Sequence, residues 1–274
     1  MDLRSPEQVC WWFSCEKPDY VFLCAARVGG IKANIARPAE FFVDNQLIQH
    51  NVMLNAADYG CKKLVFLGSS CIYPRSAEQP IKESAMLTGP LEPTNEGYAL
   101  AKICGVKLGQ YLKRSGKLNV VSAMPGNLYG ENDNFHENDG HLVPGLIARL
   151  HRAKCDNAPE FVIWGDGTAQ REILYSHDLA RALITVMEKY EDLEPINTGS
   201  GEEWEVGDVA RTLAGVVGYK GNLVFDASHP VGVTRKLMDN SKIFGLGWKP
   251  LIYPLWAFYS TYENFLTGEG VRRG

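Results

Sequence analysis

The sequence has no apolar stretch of the ~20 residues that a bilayer span needs. Its start, Met1-Asp2-Leu3-Arg4-Ser5-Pro6-Glu7, has no basic segment leading into an apolar run. No membrane partner and no secretory leader are expected, and the reading is a soluble, cytoplasmic protein. Positive charge is in short supply: 28 Lys and Arg stand against 32 Asp and Glu, a formal net charge of -4. No basic stripe is available to neutralise phosphates along a groove, so no nucleic-acid partner is expected. A pocket for one anionic ligand needs only a few well-placed cations and stays open. The seven cysteines are an odd count without a CxxC pair, and no Cys/His group has ligand spacing. Reduced thiols and no metal site follow.

What the 274 residues do contain is 45% hydrophobic, enough for one large domain or two moderate ones. Short β-rich runs alternate with amphipathic helical ones. Ser5-Pro6-Glu7 reads as an N-cap, a first-turn proline and a first-turn acid, opening a helix to about residue 15. Further helices are expected over 38–59, 95–115, 141–154, 177–190, 206–217 and 252–265. Strands are expected over 20–24, 63–67, 119–124 and 161–164, with a glycine-containing loop at 26–30. Strands apolar on both faces and alternating with helices predict an α/β fold, a doubly wound parallel sheet covered on both sides. Ligands of such sheets sit at the carboxyl ends of the strands. Three ends carry useful residues: Gly68-Ser69-Ser70-Cys71, Gly126-Asn127 and Gly165-Asp166-Gly167.

Chemistry concentrates at Tyr98-Ala99-Leu100-Ala101-Lys102. Residues four apart share a helix face. An ammonium beside the phenol is expected to lower its pKa from ~10 and make Tyr98 a proton donor to a carbonyl receiving hydride. Lys102 could also hydrogen-bond a ribose. An isolated YxxxK is more often a solvated helix face. Here it follows Ser69 at a strand end by one strand–loop unit, the serine–tyrosine–lysine arrangement of short-chain dehydrogenases. The plainer role for Ser69 is a turn cap.

Several longer stretches carry a closer resemblance. They are Leu67-Gly68-Ser69-Ser70-Cys71-Ile72-Tyr73-Pro74, Leu91-Glu92-Pro93-Thr94-Asn95-Glu96-Gly97-Tyr98-Ala99, Met124-Pro125-Gly126-Asn127-Leu128-Tyr129-Gly130, Asp133-Asn134-Phe135-His136 and Gly140-His141-Leu142-Val143-Pro144. In order and over nearly the whole chain, they resemble the GDP-L-fucose synthase family, extended short-chain dehydrogenases. That resemblance implies NADPH-dependent reduction of a GDP-linked 4-keto-6-deoxy sugar after inversion of C3 and C5. It implies Cys71 and His141 as the epimerisation pair, Tyr98 as the C4 proton donor, Lys102 as a ribose ligand and Ser69 as the hydroxyl that polarises the ketone. NADP(H) would be held by Leu67, Gly68, Ser69, Ser70, Lys102, Pro125, Gly126, Asn127, Leu128 and His141. Arg149, Trp164, Arg171 and Lys236 would face the substrate. The plainer fates are a small buried hydrophobe for Cys71, a helix cap for His141, a solvated helix face for Arg149 and a core aromatic for Trp164. The family's pairing of two helices implies a homodimer through the helices from Pro38 and from Asn95. A non-catalytic binding partner and an enzyme of another nucleotide sugar remain the alternatives.

The resemblance also has gaps. Val231 stands where the family carries a substrate-facing aspartate, Gly126 where it carries threonine, and Gly97 where it carries proline. No GxxGxxG turn, the usual cradle of the cofactor diphosphate, precedes Tyr20. The expectation is an N-terminally truncated Rossmann-like domain over 1–130, rejoined by 161–198, and a smaller C-terminal α/β substrate domain over 131–274. The missing unit is expected in a longer form, with a short inactive paralogue or completion in trans as alternatives. The strand at 20–24 would then be an exposed apolar edge.

Overall fold

The computed structural model describes residues 1–137, 139–228 and 234–268. Val231 lies outside the described residues. The first part of the chain runs α1 (Pro6–Glu16), β1 (Tyr20–Leu23), α2 (Ile31–Ala36), α3 (Pro38–Asp58), β2 (Lys63–Leu67), α4 (Glu96–Arg114), β3 (Asn119–Pro125) and β4 (Asn127–Tyr129). It continues with α5 (Leu142–Cys155), β5 (Glu160–Trp164), β6 (Gln170–Tyr175), α6 (Ser176–Lys189), β7 (Ile196–Thr198) and β8 (Glu203–Glu205). The last elements are α7 (Val206–Val217), β9 (Asn222–Asp226), β10 (Arg235–Lys236), α8 (Ser241–Gly245) and α9 (Pro254–Thr267).

The main sheet is parallel, in the order β1-β2-β3-β7. Successive residues of a strand point to opposite faces, and β2 uses both. Leu64 and Phe66 pack with Val9 and Phe13 of α1, Val52 and Met53 of α3 and Val106 of α4. Val65 turns the other way, to Leu179, Ala182, Leu183 and Val186 of α6 and to Ile243 of α8. Helices on both faces make the sheet doubly wound, as the alternation of apolar runs and helices predicts. β1 is the edge among the described residues, and its Tyr20 and Phe22 are 57% and 44% exposed.

The polar-flanked elements form where local signals and packing agree. The Ser5 hydroxyl accepts from the Gln8 N–H, and Pro6 takes the position where a missing N–H costs nothing. α3 and α4 lie close together. The Gln49 side chain donates to the Ala101 carbonyl at 2.8 Å. A Cβ at Gly97 would come within 2.7 Å of the Pro38 carbonyl oxygen, so the glycine there permits the approach.

A second core joins α5, α7 and α9 with β4, β5 and β6. Here β6 pairs in parallel with β4 and β10 and antiparallel with β8, while β5 pairs with β9. This corrects one expectation. The strand at Glu160–Trp164 does not join the main sheet, so Gly165-Asp166-Gly167 is not one of its carboxyl ends. Asp166 instead accepts from the Thr168 N–H and hydroxyl, closing a turn that Gly165 and Gly167 enter at positive φ.

Candidate functional site

At the carboxyl end of β2 the chain turns through Gly68, whose N–H donates to the Ala123 carbonyl of β3 at 2.8 Å. A Cβ on Gly68 would collide with the Met124 side chain. Ser69 is extended and caps the short 3-10 turn Ser70–Ile72. Its hydroxyl accepts from the Cys71 N–H at 3.2 Å. The plainer, capping role is therefore present. Ser69 also lies close enough to Tyr98 to favour its ionised form.

Tyr98 and Lys102 lie in the first two turns of α4, one above the other. Lys102 is only 3% exposed. Its Nζ donates to the Leu67 carbonyl at 2.8 Å and sits 4.8 Å from the Phe66 ring centroid and 5.8 Å from that of Tyr98. Burial brings its pKa down from 10.5 to about 8, with Cys24 pulling the other way. The expected lowering of the Tyr98 pKa does not occur. Burial pushes it well up, the neighbouring Cys71 adds to this, and Ser69 only partly offsets it. Desolvation of a phenolate outweighs an ammonium directed at a carbonyl. Tyr98 thus holds its proton at neutral pH, the state a donor needs.

Cys71 is half-buried and contacted from two sides. The Asn95 side-chain amide, at the start of α4, donates to its sulfur at 3.1 Å. Lys236 Nζ, on β10, approaches the sulfur at 3.9 Å. Lys236 is also the strand neighbour of Arg171 on β6. Ser70, Gly126, Asn127, Glu172, Lys236 and Met238 surround a narrow gap with no room for a water molecule. Glu172 is one of its walls. It is 2% exposed and accepts from the Gly201 and Met238 N–H groups and the Asn240 amide. Nothing in the sequence around Glu172 signals this latch, because its partners come from two distant segments.

His141 precedes α5 without a side-chain cap bond. Solvent reaches it, yet desolvation by surrounding protein lowers its pKa, opposed by the charge of Asp133. Among the described residues it shares no hydrogen bond or ion pair with Cys71, Tyr98 or Ser69. The loop before it is pinned to the segment after β1: the Gly30 N–H donates to the Asp139 carbonyl at 2.8 Å, and Arg37 lies 3.6 Å from the Asp139 carboxylate.

The remaining predicted residues spread around this centre. Pro125, Gly126, Asn127 and Leu128 form the β3–β4 connection, beside β6. Arg149 donates to the Gly145 carbonyl within α5 and lies 5.5 Å from the Phe161 ring; burial lowers its pKa. Arg171 donates to the Gln170 carbonyl at 2.8 Å and is likewise depressed by burial. Trp164 ends β5, with Lys32 of α2 4.4 Å from its ring centroid. Ser69, Cys71, Tyr98, Lys102 and Lys236 come together; among the described residues, Arg149 and His141 share no hydrogen bond with them.

The arrangement provides a protonated phenol, a hydroxyl, a thiol with two donors and a buried ammonium. Among the described residues no group of His, Cys, Asp and Glu could hold a metal ion. Residues 1–207 match the model of the NAD dependent epimerase/dehydratase family. The chain is 50% identical over 266 residues to a putative GDP-L-fucose synthase 2 of Arabidopsis thaliana, covering 97% of this chain and 81% of that protein. It is 46% identical over 283 residues to the GDP-L-fucose synthase of Escherichia coli K12, covering 100% of this chain and 88% of that one. Among solved structures, a GDP-L-fucose synthetase from Naegleria fowleri bound to NADP superimposes with a TM-score of 0.91 at 34% identity, covering 99% of this chain and 84% of that one. The chain belongs to the NAD dependent epimerase/dehydratase family and, within it, to the GDP-L-fucose synthases.

Proposed function

We propose that the protein converts GDP-4-dehydro-6-deoxy-D-mannose to GDP-L-fucose, inverting C3 and C5 and then reducing C4 with NADPH. The observation that carries the reading is the convergence of Ser69, Cys71, Tyr98 and Lys102 at the end of β2 and the start of α4, on a chain half identical to a GDP-L-fucose synthase.

The donor set of Lys102 fits the nicotinamide-ribose end of NADP(H). An ammonium has three N–H donors, and one is used, on the Leu67 carbonyl. The others are nearly cut off from water and suit ribose hydroxyls. Lys102, the Leu67–Ser70 turn, the β3–β4 connection and His141 would hold that end. When bound, NADPH supplies the hydride for C4.

Protons on carbons beside a ketone are acidic enough for side-chain chemistry. Cys71 and His141 are assigned to move them at C3 and C5, one group taking a proton and the other returning it from the opposite face. Ser69 polarises the C4 oxygen, and Tyr98, kept protonated by burial, gives it a proton. Arg171 and Arg149 are assigned to the diphosphate, whose oxygens suit a planar guanidinium, and Trp164 to the guanosine or the sugar. Lys236 lies nearer the sulfur than a purely diphosphate role needs, so its charge serves the reacting sugar. The chain would divide near residue 130 into cofactor and substrate parts. A homodimer would use α3 and α4, where Val43, Leu47 and Leu54 share one exposed face, beside Leu100 and Tyr111.

The test is incubation of the purified protein with NADPH and the GDP-linked keto sugar, with product identified by NMR. GDP-L-fucose is expected. NADPH oxidation yielding a sugar with C3 and C5 unchanged, or no turnover from folded protein, would overturn the reading.

A further inference from the structure

Resting on the function proposed above, we infer that Asn95 is a working member of the epimerisation centre: its carboxamide fixes the Cys71 sulfur with one polar atom and receives a sugar hydroxyl with the other.

Asn95 ends the 3-10 turn Pro93–Asn95 and stands at the N-cap of α4. Asparagine is favoured there because its side chain can accept from the free N–H groups of the first turn. Asn95 makes no such bond. Its side chain reaches across to another segment, where Nδ2 lies 3.1 Å from Cys71 Sγ. A good cap has been given up for a contact with a thiol.

The other half of the amide is the second observation. Asn95 Oδ1 is buried and has no hydrogen-bond partner. Buried polar atoms are nearly always satisfied, and an unmade bond is costly. No donor among the described residues meets this oxygen, and a bound ligand can supply one. The two atoms share one planar group. A hydroxyl bound at Oδ1 therefore lies beside the sulfur that Nδ2 holds.

The chemistry fits the position. In moving a proton, Cys71 passes between thiol and thiolate, and the thiolate carries the full charge. An amide N–H on one side and the Lys236 ammonium on the other meet that charge. The hydroxyl at Oδ1 would set which carbon of the ring faces the sulfur, since a small misplacement of reacting atoms is expensive. Asn95 is the N-cap of α4 and Tyr98 stands in its first turn. The start of one helix thus carries both the group on the thiol and the proton donor to C4. Toward Cys71, Asn95 is a positioning residue; toward the hydroxyl, it is a direct ligand.

The experiment separates the two half-reactions. Exchange of solvent deuterium into GDP-4-dehydro-6-deoxymannose without reductant reads proton movement alone. Oxidation of GDP-L-fucose by NADP+ reads the hydride step without epimerisation. Asn95→Ala is expected to lower the exchange rate about 100-fold, while oxidation of GDP-L-fucose loses at most about tenfold in kcat/KM, the scale of one hydrogen bond to substrate. Asn95→Asp keeps the shape and an acceptor but lacks the N–H donor, and is expected to exchange no faster than Asn95→Ala. Equal losses in both reactions, or near-normal exchange by Asn95→Asp, would overturn the inference. Absence of exchange and oxidation in the unaltered protein would instead overturn the function it rests on.

Discussion

Replacing Lys102 by methionine should stabilise the fold while removing activity. The ammonium is 3% exposed, and its pKa stands at about 8 instead of 10.5, chiefly through desolvation. The unfolded chain keeps this proton to ~10.4. Between those limits the unfolded state binds more protons, so stability rises with pH. The penalty of burying the charge is present in full below about pH 8 and gone above about pH 10.5. At about 1.36 kcal/mol per pH unit, the drop from 10.5 to about 8 corresponds to roughly 3 kcal/mol. Methionine matches the length without the charge. It leaves the Leu67 carbonyl without its 2.8 Å donor, a loss of about 1 kcal/mol. A net gain of roughly 2 kcal/mol is expected at pH 7, shrinking to a small loss near pH 10.5. Urea unfolding of both proteins at the two pH values measures it, read from the midpoint at equal slope. A less stable Lys102→Met protein at pH 7, or a difference independent of pH, would refute the reasoning. A gain would mark Lys102 as a residue retained for its chemistry at the expense of stability.

Other substitutions probe the frame around the site. Gly97→Ala forces a Cβ against the Pro38 carbonyl oxygen at 2.7 Å and should cost about 1–3 kcal/mol in chemical denaturation. Phe66→Ala empties a 1% exposed position under Lys102 and should cost about 3–5 kcal/mol. Leu47→Glu, on the exposed face of α3, should turn the proposed dimer into a monomer in sedimentation without changing the fold; an unaltered protein that sediments as a monomer, or a dimer that survives the substitution, would remove α3 as an interface.

The elements legible in the sequence were those whose own residues decide them. β2 runs Lys63–Leu67 and α7 Val206–Val217, both within the expected bounds, because an apolar five-residue run and a full amphipathic stretch need no distant help. β4, β7 and β8 are three residues long and β10 two. Such runs are too short to display a period and exist through their partners. α2 follows the loop expected at 26–30 and has no expectation of its own; the hold of its flanking residues on the His141 loop comes from contacts more than 100 residues away along the chain. Trp164 ends a strand as expected, but its sequence could not reveal that β5 pairs with β9 outside the main sheet.

The site divides in the same way. Helical spacing placed Tyr98 and Lys102 on one face. It could not show that Lys102 is directed at the Leu67 carbonyl, nor that burial would outweigh its charge at Tyr98. Asn95 lay inside a family motif with no role attached, since its tie to Cys71 spans 24 residues and a turn. Lys236 was placed with the substrate, and only the folding of β10 onto β6 brings it to the thiol.

The most direct measurement of the central claim compares Cys71→Ser and Tyr98→Phe in deuterated water, with GDP-4-dehydro-6-deoxymannose and NADPH. The account predicts that Tyr98→Phe still admits deuterium at C3 and C5 but consumes almost no NADPH, whereas Cys71→Ser loses the exchange and makes no GDP-L-fucose. Undiminished NADPH oxidation by Tyr98→Phe, or exchange at the normal rate by Cys71→Ser, would contradict it.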